Sequence, residues 1–248
     1  MRLLQYTPDG SLSLTEDFTS DEKVPRYAIL SHRWQDGHEV TFDDLMTGNE
    51  KDKAGYDKIL FCARQAQRDG LDYCWVDTCC IDKSSSAELS EAINSMFRWY
   101  QKAQKCYVYL SDVSNFTADG DGELSWRWKP AFKQSQWFTR GWTLQELIAP
   151  KSVEFLSKEG DLLGSKETLK LLLHEITGIP VKALQGQPLS DHSVTERFSW
   201  AANRHTTRPE DESYCLFGIF GIHLPVIYGE GRLSAMKRLL NEIEGPPM

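Results

Sequence analysis

An indole at Trp142 and a carboxylate at Glu146 stand four residues apart in the segment WFTRGWTLQELIAP, residues 137–150. On a helix that spacing puts both side chains on one face. A carboxylate beside an aromatic wall can stabilise the cation that develops on a sugar as a glycosidic bond breaks. With 8 tryptophans in 248 residues, chance supplies such a pair about as often as not, so the pair needs support from the rest of the chain. A lone glutamate near a helix start is otherwise a solvated carboxylate favoured by the macrodipole. Trp142 reads chiefly as a packed residue that fixes the helix and so aims Glu146.

Further candidates gather where strands end. The apolar run YAILSH, residues 27–32, is entered after Pro25 and reads as a buried strand, with Ser31, His32, Arg33 and Trp34 at its end. Arg33 carries either a surface ion pair or a fork suited to a pyrophosphate. A second apolar strand, YCWV at 73–76, ends in Asp77, which either shapes the site or caps the loop 78–86. The third, CYVYL at 106–110, closes at Ser111. His32 either contacts substrate or hydrogen-bonds Asp77. Cys79 and Cys80 with His32 offer a weaker alternative, a Cys/His hydrolase or a metal site, but the short ligand spacings of a metal centre are missing and no metal is expected.

These residues need elements to position them. Tyr56, Ile59, Leu60, Ala63 and Ala66 recur at helical spacing within 53–68, and Gly70 follows as a stop. Ser86 is placed to cap a helix over 87–104 with Leu89, Ala92, Ile93, Met96, Phe97 and Tyr100 on its apolar face. Residues 112–136, rich in Gly, Asp and Ser and carrying Trp126 and Trp128, read as an insertion that packs over the domain. The Trp142/Glu146 helix stops at Pro150, and VEFL at 153–156 is a fourth strand. Strands alternating with helices predict an α/β fold, a mainly parallel sheet with helices on both faces. Such sheets bind ligands at the carboxyl ends of strands where the strand order reverses. From Lys166 onward the pattern turns helical, over 166–176, 181–184 and a run capped at Ser193. The division expected is an α/β core over 1–160 and a helical extension over 161–248 packed on it. RPED, residues 208–211, should tie the two through ion pairs, and the closing Gly245, Pro246 and Pro247 read as a linker or truncation of a longer parent.

Composition sets outer bounds. At 40% hydrophobic and 26% charged residues the chain is an ordinary globular protein. Lys and Arg number 28 against 36 Asp and Glu, a net charge of −8 without a basic cluster, which argues against nucleic acid and anionic membranes as partners. No apolar run reaches the roughly 20 residues of a membrane span. The start, MRLLQYTPDG, has no secretion-signal core, so a cytoplasmic location is expected. Six cysteines without framework spacing read as reduced and buried.

Five blocks in order resemble the HET domain of fungal heterokaryon incompatibility proteins: YAILSHRW at 27–34, VTFDDL at 40–45, YCWVDTCCID at 73–82, EAINSMFRWYQKAQKCYVYLSDV at 91–113 and RGWTLQELIAP at 140–150. A sixth, residues 197–231, looks like the segment that follows that domain. The order of strand ends, with the W-x-x-x-E-L run, is also similar to a TIR domain, in which a glutamate acts at the nicotinamide ribose of NAD. That resemblance implies a flavodoxin-like (TIR-like) sheet, Glu146 as the catalytic residue, and a dinucleotide site drawn from Ser31, His32, Arg33, Trp34, Asp77, Ser111 and Trp142. It implies NAD or a related nucleotide as substrate, hydrolysed to nicotinamide and ADP-ribose, with no cofactor required. It further implies self-association through 78–86, a cell-death role and an upstream receptor of the nucleotide-binding type. Departures are plain: Thr143 stands where TIR enzymes have a cysteine, His32 and Trp34 replace small residues, and the insertion is long. The alternative is a non-enzymatic signalling module acting by self-association through 78–86 and exposed aromatics such as Trp126 and Trp128.

Overall fold

Seven strands form one sheet in the computed structural model, which describes residues 1–7, 10–115 and 127–245. They are β1 (Leu4–Tyr6), β2 (Leu12–Leu14), β3 (Tyr27–His32), β4 (Tyr73–Trp75), β5 (Lys105–Tyr109), β6 (Val153–Leu156) and β7 (Leu162–Ser165), in the spatial order β2-β1-β4-β3-β5-β6-β7. The central four, β4-β3-β5-β6, run parallel. The β1–β2 hairpin adds antiparallel to β4 and β7 antiparallel to β6. The fold is therefore α/β with a mixed, mainly parallel sheet. All six residues of β3 are buried, as a strand covered on both faces requires.

Eleven α-helical segments appear among the described residues. In the core they are α1 (Phe42–Thr47), α2 (Tyr56–Arg68), α3 (Ser86–Lys102), α4 (Lys129–Lys133) and α5 (Thr143–Ile148). The remainder are α6 (Lys170–Thr177), α7 (Val181–Leu184), α8 (Val194–Ser199), α9 (Asp211–Tyr214), α10 (Phe217–Phe220) and α11 (Arg232–Glu244). None is long and apolar enough to cross a membrane. The cap of α3 is Ser85, one residue earlier than the sequence suggests: Ser85 is extended and its hydroxyl accepts from the Glu88 amide at 3.3 Å, while Ser86 is already helical. Likewise α6 starts at Lys170 and not Lys166, because Ser165 and Thr168 first close a tight turn on each other's amides.

The chain leaves β3 through α2 toward β4, then returns through α3 across β3 to β5. Right-handed crossovers in opposite directions place α2 on one face of the sheet and α3 on the other. Strand alternation confirms the division: Tyr27 bonds the Trp99 carbonyl of α3, whereas Tyr107 reaches Gln65 and Asp69 at the end of α2. The short α5 lies beside α3 over β3. The order reverses between β3 and β5, so the crevice expected of such a sheet opens at their carboxyl ends.

The C-terminal helices lie against α3 and α5. Gly218 on α10 sits so close to α3 that a Cβ there would fall 2.1 Å from that of Phe97, and Asn94 pairs with both backbone groups of Leu224. Residues 208–211 do make a tie, but through hydrogen bonds in place of the ion pairs expected. Asp211 accepts from Trp142 and Tyr228, and Glu210 accepts from the amides of Gly229 and Gly231. Their partners are neutral, and Arg208 instead stacks over Tyr228 at 4.0 Å. Of the expected insertion, Trp128 packs on Phe132 within an aromatic cluster that includes Phe138, Phe155 and Trp137. Trp126 lies outside the described residues, as do Pro246 and Pro247.

Candidate functional site

Ser31 is the last residue but one of β3 and faces α5. Its hydroxyl donates to Glu146 and accepts the indole N–H of Trp137 at 2.8 Å, so both its rotamer and its proton are fixed. Glu146, at 6% exposure, lies under the crevice with the hydroxyl of Tyr100, the carboxylate of Asp77 and the guanidinium of Arg204 about it. Burial pushes its carboxyl up to about 8, and the negative charge of Asp77 adds to that. The hydrogen bond from Ser31, the nearby hydroxyl of Tyr100, whose proton goes to the Leu30 carbonyl at 2.9 Å, and the charge of Arg204 pull the other way and do not overcome it. At neutral pH the resting carboxyl is mostly protonated.

The rim is built from the loops after β3 and β4. Trp34 donates its indole N–H to Asp77 at 2.9 Å, and the ammonium of Lys83 rests 3.8 Å from the centre of its ring. Trp34, Glu39, Phe42, Thr78, Ile81 and Lys83 line a depression of about 450 Å³ beside them. Arg33 is exposed and makes no hydrogen bond or ion pair with the described residues, leaving its fork free for a ligand. Ser111 is half-buried at the end of β5, across the crevice.

His32 follows Ser31 and, by strand alternation, faces the opposite side of the sheet. Its Nε2 lies 3.4 Å from Glu39, which also binds Lys58 of α2 and the Gln35 amide at 2.6 Å. Although burial raises the Glu39 carboxyl, His32, Lys58 and the Gln35 amide hold it down to about 2. His32 thus clamps the loop that carries Arg33 and Trp34 and is not among the groups around Glu146. Asp77, one of the two partners the sequence offers His32, is held by Trp34 instead. Trp142 is half-buried with its N–H on Asp211 at 3.2 Å, which ties α5 to the C-terminal segment.

The Cys/His alternative fails on the same geometry. Cys79 and Cys80 are fully inside the core, burial lifts the Cys79 thiol well above its usual range, and His32 is engaged with Glu39. A thiol so placed is inert. Among the described residues no cluster of His, Cys, Asp and Glu could hold a metal ion.

What remains is a buried carboxyl and a second carboxylate at the reversal point of the sheet, with an aromatic, a lysine and a free arginine on the rim. Such a pair can exchange protons with a substrate or balance positive charge on it. Residues 27–121 match the family described as heterokaryon incompatibility protein (HET). That stretch is similar to a HET domain. The whole chain is similar to the vegetative incompatibility protein HET-E-1 of Podospora anserina, with 57% identity over 244 residues that make up 98% of this chain and 18% of that protein. The chain therefore spans under a fifth of the length of that relative. No solved structure matches it.

The stretch that matches the HET family supplies Ser31, Arg33, Trp34, Asp77 and Ser111, and also Glu39, which the sequence does not single out, and Tyr100. Glu146, Trp137 and Arg204 come after it. Trp137 stands at the head of the block that contains Glu146, and that adjacency was a usable signal. Tyr100 was legible only as one apolar residue on a helix face. Nothing in the surroundings of Arg204, a polar run of ordinary composition, marks it. Lys166 is equally unmarked: its ammonium is buried and donates to the carbonyls of Leu147 at 3.1 Å, Ile148 at 3.4 Å and Pro150, closing the C-terminal end of α5. Burial draws that lysine down to about 8.

Proposed function

We propose that this chain is a HET domain that hydrolyses NAD or a closely related nucleotide, with Glu146 as the reacting carboxylate. The observation that carries the reading is the Ser31–Glu146 pair, a buried carboxyl fixed by a hydroxyl under the carboxyl ends of β3 and β5. The order β4-β3-β5-β6 and the position of α5 support a TIR-like arrangement. The nicotinamide ring of NAD is a cation, and a cation arriving beside Asp77 and Glu146 favours loss of the Glu146 proton to solvent. The ionised carboxylate then balances the positive charge that develops on the ribose as the bond to nicotinamide breaks and its electron pair passes to the ring nitrogen. Water adds to the sugar carbon and gives up its proton, so that ADP-ribose and neutral nicotinamide leave. Arg33 is placed to take the pyrophosphate. Such an activity would drive vegetative incompatibility, as the name of the Podospora relative suggests, and through loss of NAD it would bring about cell death. The test is nicotinamide release from NAD by purified protein over a rising concentration series, with Glu146→Ala alongside. Release that Glu146→Ala abolishes is expected. A wild-type protein that releases none at any concentration refutes the enzyme.

A further inference from the structure

The chain from Trp200 to Cys215 lies outside the matched stretch, yet it grips the N-terminal end of α5 at successive residues. His205 donates its amide to the Thr139 carbonyl at 2.7 Å and accepts the Gly141 amide at 2.9 Å. Gly141 has no room for a side chain, since a Cβ would fall 2.5 Å from Thr206 Cγ2 and 3.1 Å from Cys215 Sγ. At the centre is Arg204, 8% exposed, with Nε on the Trp200 carbonyl at 3.2 Å and Nη1 on both the Arg140 carbonyl at 3.0 Å and Thr143 Oγ1 at 2.8 Å.

Those contacts open a continuous path to the site. Thr143 accepts from Arg204 and donates to the Trp137 carbonyl at 2.7 Å. The Trp137 indole fixes Ser31, and Ser31 fixes Glu146. The partners of Arg204 among the described residues are carbonyls and a hydroxyl and not a carboxylate, and its Nη2 is buried without a hydrogen-bond partner. A buried cation so placed, without a carboxylate in contact, is expensive. What the charge alone supplies is a field on Glu146, with which Arg204 interacts electrostatically.

We propose that Arg204 is the positioning residue of Glu146, holding the carboxylate on Ser31 through Thr143 and Trp137 and serving as its counter-ion when it ionises. The inference deepens the reading of Glu146 as the reacting group, but its test uses no substrate and can fail or succeed independently of NAD hydrolysis. The charged and titratable groups that face Glu146 are Asp77 from the loop after β4, Tyr100 from α3, Cys106 from β5 and Arg204 itself. Of these only Arg204 favours the ionised form by its charge.

The experiment follows the Glu146 carboxyl carbon by NMR across a pH titration of the whole chain, assigned by its disappearance in Glu146→Gln. In Arg204→Gln the midpoint is expected to rise by about one pH unit, the order of effect of removing a facing opposite charge. In Arg204→Lys, which keeps the charge, it should stay within about half of that shift. A purely structural arginine would leave the midpoint unmoved in a folded Arg204→Gln, which overturns the proposal. Should Arg204→Gln not fold, Arg204→Met, which keeps the length of the side chain without its charge, takes its place: a rise of about one unit supports the counter-ion, and an unmoved midpoint overturns it.

Discussion

Replacing Glu146 with glutamine should make the protein more stable at alkaline pH, and the size of the effect follows from burial. In the fold the carboxyl is moved from its ordinary 4.5 to about 8. The folded state therefore holds a proton that the unfolded chain releases above 4.5. The stability this proton confers is fully present below 4.5 and is lost as the pH rises through about 8. Within that window each pH unit is worth ~1.4 kcal/mol. Going from about pH 6 to about pH 9, the wild type loses about 3 kcal/mol through this one group, or roughly 6–12 °C in Tm for a chain of this size. Glutamine keeps the shape and an oxygen for the Ser31 hydroxyl and never ionises.

The measurement is the difference in Tm between Glu146→Gln and wild type, taken by circular dichroism at several pH values. Other titrating groups, Lys166 and Asp211 among them, are common to both chains and cancel in the difference. The gap should open in favour of the variant by at least 5 °C or so between neutral-acid and alkaline buffer. A gap that stays flat across the range would mean that Glu146 is already ionised at neutral pH, and the account of a buried, protonated carboxyl would be wrong.

Two further outcomes can be checked directly. Lys166→Met leaves the carbonyls of Leu147, Ile148 and Pro150 buried without their donor, which should lower the unfolding free energy in urea by about 3 kcal/mol; a loss below about 0.5 kcal/mol would show that water or neighbours replace it. Asp77→Asn removes the charge that lifts Glu146 after burial, so the pH profile of nicotinamide release should move about one unit toward acid, and a profile that does not move separates Asp77 from the reacting group.

Elements with an apolar run or a strong period were legible in the sequence, even where short as in β4 and β6, and the antiparallel edge strands were not. The six-residue apolar run at Tyr27–His32 and the amphipathic α2 and α3 declare themselves, because burial on both faces or on one face dictates which residue types they take. The three-residue β1 and β2 and the four-residue β7 carry too few positions for a period to show, and they exist only because the sheet offers an edge to pair with. The site divides in the same way. Ser31, Asp77 and Glu146 stand at strand ends or on a marked helix. The separation of Ser31 from His32 onto opposite faces follows from the period of two once the strand is accepted, and grouping the two by their nearness in sequence overlooked it. Arg204 and Lys166 are not legible at all, since each acts on a helix more than 15 residues away in sequence and local composition holds no trace of such a contact.

That pair of cations explains how so short a helix can hold a buried carboxyl in place. A six-residue helix has little stability of its own, because the cost of nucleation is not recovered within two turns. The position of α5 is therefore imposed from outside. At its C-terminal end Lys166 satisfies the carbonyls with a charge that the helix dipole favours. At its N-terminal end Arg204 holds Thr143 and the Arg140 carbonyl, while Gly141 and Trp142 are locked to His205 and Asp211. Both cations come from beyond β6, so the residues that fix Glu146 lie largely outside the stretch that matches the HET family, and the site needs that later chain as much as the sheet it sits on.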